Sequence, residues 1–201
     1  MITIVDYGMG NLGAVLNMFK RIGVRAAITG DADRMAQAEK LVLPGVGGFD
    51  AAMKRINESG LRETLDRKAL EERIPILGIC LGMQLLTRGS EEGVEPGLGW
   101  IPAAATRFPD MPGLKVPHMG WNVVEPAQPH RLTAGLPAGS RFYFVHSYCV
   151  QVDNQRDSLL KAHYGIEFDA AIARGNIFGA QFHPEKSHRF GMKLLGNFAD
   201  I

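Results

Sequence analysis

Three times in its first ninety residues the chain runs through the same parts: a short apolar run, a glycine-bearing turn, then residues with helical periodicity. Met1–Val5 leads into Asp6-Tyr7-Gly8-Met9-Gly10, after which Leu12, Val15, Leu16, Phe19 and Ile22 fall on one helical face. Asn11 is placed to cap that helix and Gly23 to stop it. Lys40–Leu43 leads into Pro44-Gly45-Val46-Gly47-Gly48, and Phe49, Ala52, Met53 and Ile56 mark the next amphipathic stretch. Ile74–Cys80 leads into Leu81-Gly82 and then Met83-Gln84-Leu85-Leu86. A strand at Arg25–Thr29 and a helix at Leu61–Glu72 complete the series. Apolar strands alternating with amphipathic helices predict a parallel sheet with helices on both faces.

The second half reads differently. Between Gly97 and Gly179, alternating or aromatic runs are broken by glycine and proline: Trp100–Phe108, Trp121–Val124, Phe142–Val152, Ser158–Tyr164 and Phe168–Arg174. Several are expected as antiparallel strands attached to the sheet. Ile177–Phe182 forms one more strand ending at His183, and Ser187–Phe198 closes the chain as a helix with Phe190, Leu194, Leu195 and Phe198 on one side. No stretch reads as a linker, so residues 1–201 are expected to form a single domain.

Composition narrows the function. Basic and acidic residues nearly balance, 22 against 21, with no charge block, which leaves no electrostatic footprint for nucleic acid or an anionic membrane. Two cysteines, Cys80 and Cys149, are too few for a disulfide scaffold. The run Met1–Asp6 is too short for a signal peptide's apolar core and no run approaches a membrane span, so a cytoplasmic compartment is expected.

Cys80 carries the chemistry. Gly78 and Gly82 flank it at i−2 and i+2, the spacing of a nucleophile elbow, where small neighbours let a strand turn sharply into a helix and lift the thiol out of the sheet. A small buried cysteine ending a core strand is the plainer alternative. A thiol nucleophile needs a base, a group to orient that base, and donors for the oxyanion. His183-Pro184-Glu185 supplies the first two, because residues i and i+2 of an extended segment project to one side and Pro184 stiffens the arrangement. The Pro44–Gly47 turn also follows a strand and is a candidate oxyanion cradle, with the N–H of Leu81 as second donor. The remaining histidines, His118, His130, His146, His163 and His188, make no credible metal spacing; most are expected to be structural, His146 being the exception to watch. Cys149 lies in an aromatic strand and is expected to pack.

A competing motif sits in the first turn. Gly8-Met9-Gly10-Asn11-Leu12-Gly13 fits G-x-G-x-x-G after a strand, and Asp31 follows near the end of the second strand, as in a dinucleotide-binding unit. Any glycine-rich first turn of an α/β protein produces this pattern, and the alternative is a tight turn that lies close to something else.

Taken together, Gly78-Ile79-Cys80-Leu81-Gly82-Met83-Gln84 and Phe182-His183-Pro184-Glu185-Lys186-Ser187 resemble the class I (triad) glutamine amidotransferases. Asp6–Leu12, Pro117-His118-Met119-Gly120-Trp121-Asn122 and Phe144-Val145-His146-Ser147-Tyr148 resemble the glutaminase subunits of imidazole glycerol phosphate synthases, and the similarity runs along essentially the whole chain. The resemblance implies a flavodoxin-like α/β fold, a central, mostly parallel sheet flanked by helices, with added antiparallel strands in the second half. It implies that Cys80 attacks the amide of L-glutamine, with His183 as base and acid and Glu185 orienting it. Val46 and Leu81 would supply the oxyanion N–H groups, and Gly47, Gln84, Ser147 and Tyr148 would hold the glutamine. No cofactor and no metal are implied. The ammonia would pass to a separate (β/α)₈-barrel cyclase subunit, in a heterodimer serving histidine biosynthesis, met by Asn11, Met119, Trp121, Asn122, Tyr143 and Lys186. Other readings are the glutaminase subunit of another synthase, such as that of pyridoxal phosphate, a flavodoxin-like cysteine hydrolase or deglycase, and a dinucleotide-binding module.

Overall fold

The computed structural model describes residues 1–201. Its first half is β1 (Ile2–Val5), α1 (Leu12–Arg21), β2 (Ala26–Thr29), α2 (Ala32–Ala36), β3 (Lys40–Gly45), α3 (Phe49–Glu58), α4 (Leu61–Asp66), β4 (Ile76–Cys80) and α5 (Leu81–Leu85). The second half is β5 (Ala103–Arg107), β6 (His118–Val123), β7 (Glu125–Pro126), β8 (Arg141–His146), β9 (Tyr148–Val152), β10 (Ser158–Tyr164), β11 (Ile166–Arg174), β12 (Ile177–Ala180) and α6 (His188–Asp200). No helix is long and apolar enough to cross a membrane.

Eight strands form one sheet in the order β2-β1-β3-β4-β12-β11-β10-β7. The first five run parallel, with the flavodoxin-like order, and the last three continue antiparallel from β12. Apart from the edge strand β2, each parallel strand is covered on both faces, so its residues alternate between two cores. Ile4, Val42, Leu77, Ile79 and Phe178 join α1 and α6 on one side. Leu41, Leu43, Ile76 and Ile177 join α3, α4 and α5 on the other.

Register sets the functional edge. Gly45 of β3 stands opposite Cys80 of β4, and Ala180 of β12 opposite Ile79. The Pro44–Gly47 turn, the cysteine and the His183 turn therefore leave the sheet at one rim, the carboxyl ends of its parallel strands.

The chain departs from the sequence reading in four places. The helix expected over Leu61–Glu72 loses α-helical geometry at Arg67–Glu71, a π turn in which buried Lys68 reaches Glu72 at 2.6 Å. The run Phe142–Val152 is two strands broken at Ser147, because β8 pairs with β6 while β9 pairs with β5. Those pairs are separate two-stranded ladders; only β7, β10 and β11 extend the main sheet. Asp31 is no ribose ligand in waiting: its carboxylate caps the unanticipated α2, accepting from the Arg34 N–H at 2.8 Å.

Candidate active site

Cys80 ends β4 with φ 55° and ψ −112°, outside the regions a side chain ordinarily tolerates. This is the elbow anticipated from its flanking glycines. The helix that follows lies so close to the sheet that a Cβ on Gly82 would stand 1.8 Å from the Leu43 carbonyl oxygen, and one on Gly78 2.5 Å from that of Gly82. Only glycine lets α5 begin there, and that close approach fixes where the sulfur emerges.

The strand β12 delivers the imidazole. His183 N–H donates to the Tyr143 carbonyl at 2.9 Å, tying the turn after β12 to β8. The buried Ser187 hydroxyl reinforces the tie, donating to the His183 carbonyl at 2.6 Å and accepting from the Tyr143 N–H at 3.0 Å. His183 Nδ1 donates to Glu185 Oε1 at 2.7 Å, with both side chains almost wholly buried. That bond fixes the ring, and Nε2 is left buried with no hydrogen-bond partner of good geometry. Burial opposes charging of the imidazole, but the neighbouring Cys80 sulfur and the Glu185 carboxylate outweigh it and push its pKa up to about 9.

Cys80 and His183 border one cavity of about 330 Å³. Val46, Gly47, Leu81, Gln84, Ser147 and Tyr148 line it too, so every residue expected to hold glutamine or its oxyanion lies on this wall. Glu92, Pro117, Val145 and His146 complete the lining. Glu92 was invisible in the sequence, since nothing in its loop marks it; its Oε2 accepts from the Phe49 N–H at 3.0 Å, which brings it beside Gly47. The Cys80 thiol lies 3.8 Å from the Val145 carbonyl, and the Gln181 amide 4.0 Å from the sulfur. A larger hollow of about 680 Å³ around Pro126–Pro137 holds no cysteine and no carboxylate.

The turn after β1 rests on the Pro44–Gly47 loop. The buried Tyr7 hydroxyl donates to the Pro44 carbonyl at 2.8 Å, and Met9 packs so closely on Gly47 that a Cβ there would meet its methyl at 2.8 Å. Burial, with the Cys80 sulfur nearby, holds the Tyr7 phenol far above its usual range. The positive-φ glycines of this turn, Gly8 and Gly10, thus have a use in close packing. Cys149 is fully buried in the core, and burial pushes its thiol up to about 11.

Of the residues expected at a partner interface, Met119, Trp121, Tyr143 and Lys186 form a surface patch. Met119, Trp121 and Val123 project from the outer face of β6 and are 63%, 47% and 38% exposed. Trp121 stacks on His188 and meets Tyr143 edge-on, and the Lys186 ammonium lies over the Tyr143 ring. Asn11 is exposed and caps α1 through its side chain. Asn122 turns the opposite way, bonding His118 and the His163 carbonyl on the inner face of β6.

The chain as a whole is similar to known proteins. The family model for "Glutamine amidotransferase class-I" matches residues 3–201. The chain is 50% identical to imidazole glycerol phosphate synthase subunit HisH of Bdellovibrio bacteriovorus, over all of both chains. It is 51% identical to subunit HisH 2 of Pseudomonas aeruginosa, again end to end. Among solved structures, PurLQS from Thermotoga maritima superposes with a TM-score of 0.74 at 19% identity, covering 99% of this chain and 97% of its own. A further glutamine amidotransferase does so with a TM-score of 0.71 at 20% identity, covering 100% of this chain and 99% of its own. At such identities the two structures speak for the fold alone. The chain belongs to the class-I glutamine amidotransferase family.

Proposed function

We propose that this chain is the glutaminase subunit of an imidazole glycerol phosphate synthase in histidine biosynthesis, with Cys80, His183 and Glu185 as its triad. The observation that carries the triad is the single cavity bordered by the sulfur and by an imidazole whose only partner is a buried carboxylate. The Cys80 sulfur attacks the glutamine side-chain carbonyl carbon. The N–H groups of Val46 and Leu81 receive the oxyanion, and His183 gives a proton to the departing nitrogen, releasing ammonia. Water then attacks the thioester, His183 takes its proton, and glutamate leaves. Gln84, Gly47, Ser147 and Tyr148 hold the substrate. Glu92, the one carboxylate on the cavity wall, suits the substrate ammonium.

His183 sets the pH dependence. Its pKa is raised from 6.5 to about 9, so the proton-bound form contributes its full stabilisation below about pH 6.5 and loses it as pH rises through 9. The imidazolium that protonates the leaving nitrogen disappears over the same interval. A pH–rate profile of kcat/KM for glutamine is expected to fall along an alkaline limb centred near pH 9. A limb centred near 6.5 would count against this assignment.

The partner is a separate (β/α)₈-barrel cyclase, docked on Asn11, Met119, Trp121, Tyr143 and Lys186. Ammonia set free in bulk water is protonated and lost, so hydrolysis without the partner wastes glutamine. The Pro44–Gly47 loop suits a switch: glycine flanks the peptide that must present its N–H, and the partner-facing first turn packs directly on it. Presenting one oxyanion donor changes rate by about 10²–10³-fold. Glutaminase turnover of the chain alone is expected to be lower by that order than in the complex with cyclase and its nucleotide substrate; equal turnovers would refute the coupling.

A further inference from the structure

On the inner face of β6, opposite Met119 and Trp121, lies a line of hydrogen bonds that the triad does not use. The Asn122 amide nitrogen is 3.2 Å from His118 Nε2, His118 Nδ1 is 3.0 Å from His146 Nε2, and His146 Nδ1 is 2.7 Å from the Tyr148 carbonyl. The Gln84 amide nitrogen reaches that same carbonyl at 3.1 Å and Gln181 Oε1 at 3.3 Å.

The direction of every bond follows from the two ends. A carbonyl only accepts, so His146 Nδ1 carries a proton. Burial keeps both rings neutral, holding His118 down to about 4 and His146 to about 3. A neutral ring with its proton on Nδ1 has a bare Nε2, which must accept; His118 therefore donates from its own Nδ1 and accepts at Nε2 from Asn122. The Asn122 amide is fixed the right way round, its nitrogen on the His163 carbonyl at 2.9 Å and its oxygen on the Val123 N–H at 2.8 Å. The line runs one way, from Asn122 to Tyr148.

Packing alone would not select histidine here. His118 stacks between Phe144 and Tyr164, at 4.8 and 4.1 Å, and Phe108 and Phe168 meet both rings. Phenylalanine would fill such a site. The nitrogens serve the line of bonds, and that line ends on the cavity wall. With its nitrogen committed to Tyr148 and Gln181, Gln84 has only its oxygen to offer the cavity, an acceptor suited to a donor group of glutamine.

We infer that His118 and His146 are positioning residues for glutamine: their relay fixes the Tyr148 carbonyl, and through it the acceptor that Gln84 presents to the substrate. The inference rests on the proposed glutaminase reaction, and two readouts separate the fates of the two. The first uses the histidine-¹⁵N-labelled chain at pH 7. Both His118 and His146 are expected to show a protonated Nδ1 and a bare Nε2, the reverse of the tautomer free imidazole side chains prefer. A proton on Nε2 of either ring overturns the relay.

The second readout is kinetic, on the complex with the cyclase. His118→Phe keeps the stack and breaks the line; KM for glutamine is expected to rise about tenfold, the scale of one lost hydrogen bond, with kcat within about threefold. Synthesis driven by added ammonia stays unchanged. His118→Asn, whose amide can donate where Nδ1 did, is expected to bring KM back to within about threefold of the parent. An unchanged KM in His118→Phe, or a parallel loss of ammonia-driven synthesis, overturns the positioning role. Should the parent complex fail to hydrolyse glutamine, the proposed reaction falls and the positioning role with it, while the tautomers still report on the bonds themselves.

Discussion

Cys80→Ala is expected to lower glutamine hydrolysis by on the order of 10⁴-fold or more while leaving the complex able to make its product from added ammonia. The reasoning is local. The thioester cannot form without the sulfur, and Cys80 carries the only thiol on the cavity wall. Alanine occupies less space than cysteine, and the site is small, buried and bounded by backbone, so the elbow persists. The cyclase reaction needs only ammonia and the proposed docking face, whose exposed side chains Met119, Trp121 and Lys186 do not line the cavity of Cys80. Measuring both glutamine-dependent and ammonia-dependent synthesis in one preparation decides it. Loss of both activities in a folded complex would make Cys80 a structural residue and remove the nucleophile from the mechanism.

The second large effect is on folding. Gly82→Ala puts a methyl group 1.8 Å from the Leu43 carbonyl oxygen and 3.5 Å from the Pro44 carbonyl carbon. Both neighbours are backbone inside the sheet, so neither gives way cheaply, and α5 must lift off β3. The expected loss is about 3–5 kcal/mol, high for a single substitution, read as a shift of the denaturation midpoint. Activity should fall further than stability, because the displaced helix carries Gln84 and the Leu81 N–H. Gly196→Ala in α6 is the control: a Cβ there meets nothing within 4 Å, and the expected change is a gain of about 0.5–1 kcal/mol. Equal effects at the two positions would show that close packing under the elbow is not what Gly82 is for.

The two halves of the chain were unequally legible. β1, β3, β4 and β12 stand out as short, mostly apolar runs that open into turns, and both the elbow and His183-Pro184-Glu185 are local patterns. The run Phe142–Val152 carries no local sign that it breaks at Ser147; the break exists because β6 and β5, well upstream in the chain, claim its two ends separately. The pairing of His118 with His146 likewise depends on the antiparallel register of β6 on β8, which sets the two residues opposite each other. Asp31 was ambiguous for the reverse reason: a cap and a ribose ligand look alike in sequence, both being an acid just past a strand.

One strand, β12, borders both kinds of neighbour, running with β4 on one side and against β11 on the other. The sulfur thus belongs to the uniformly parallel portion of the sheet, whereas the imidazole hangs at the seam and is braced by β8, outside that portion altogether. Remodelling the accessory ribbons to suit a different ammonia acceptor would retune the base, while the elbow that carries the nucleophile stays set by the parallel strands beneath it. A scaffold divided in this way can change clients without reinventing its chemistry.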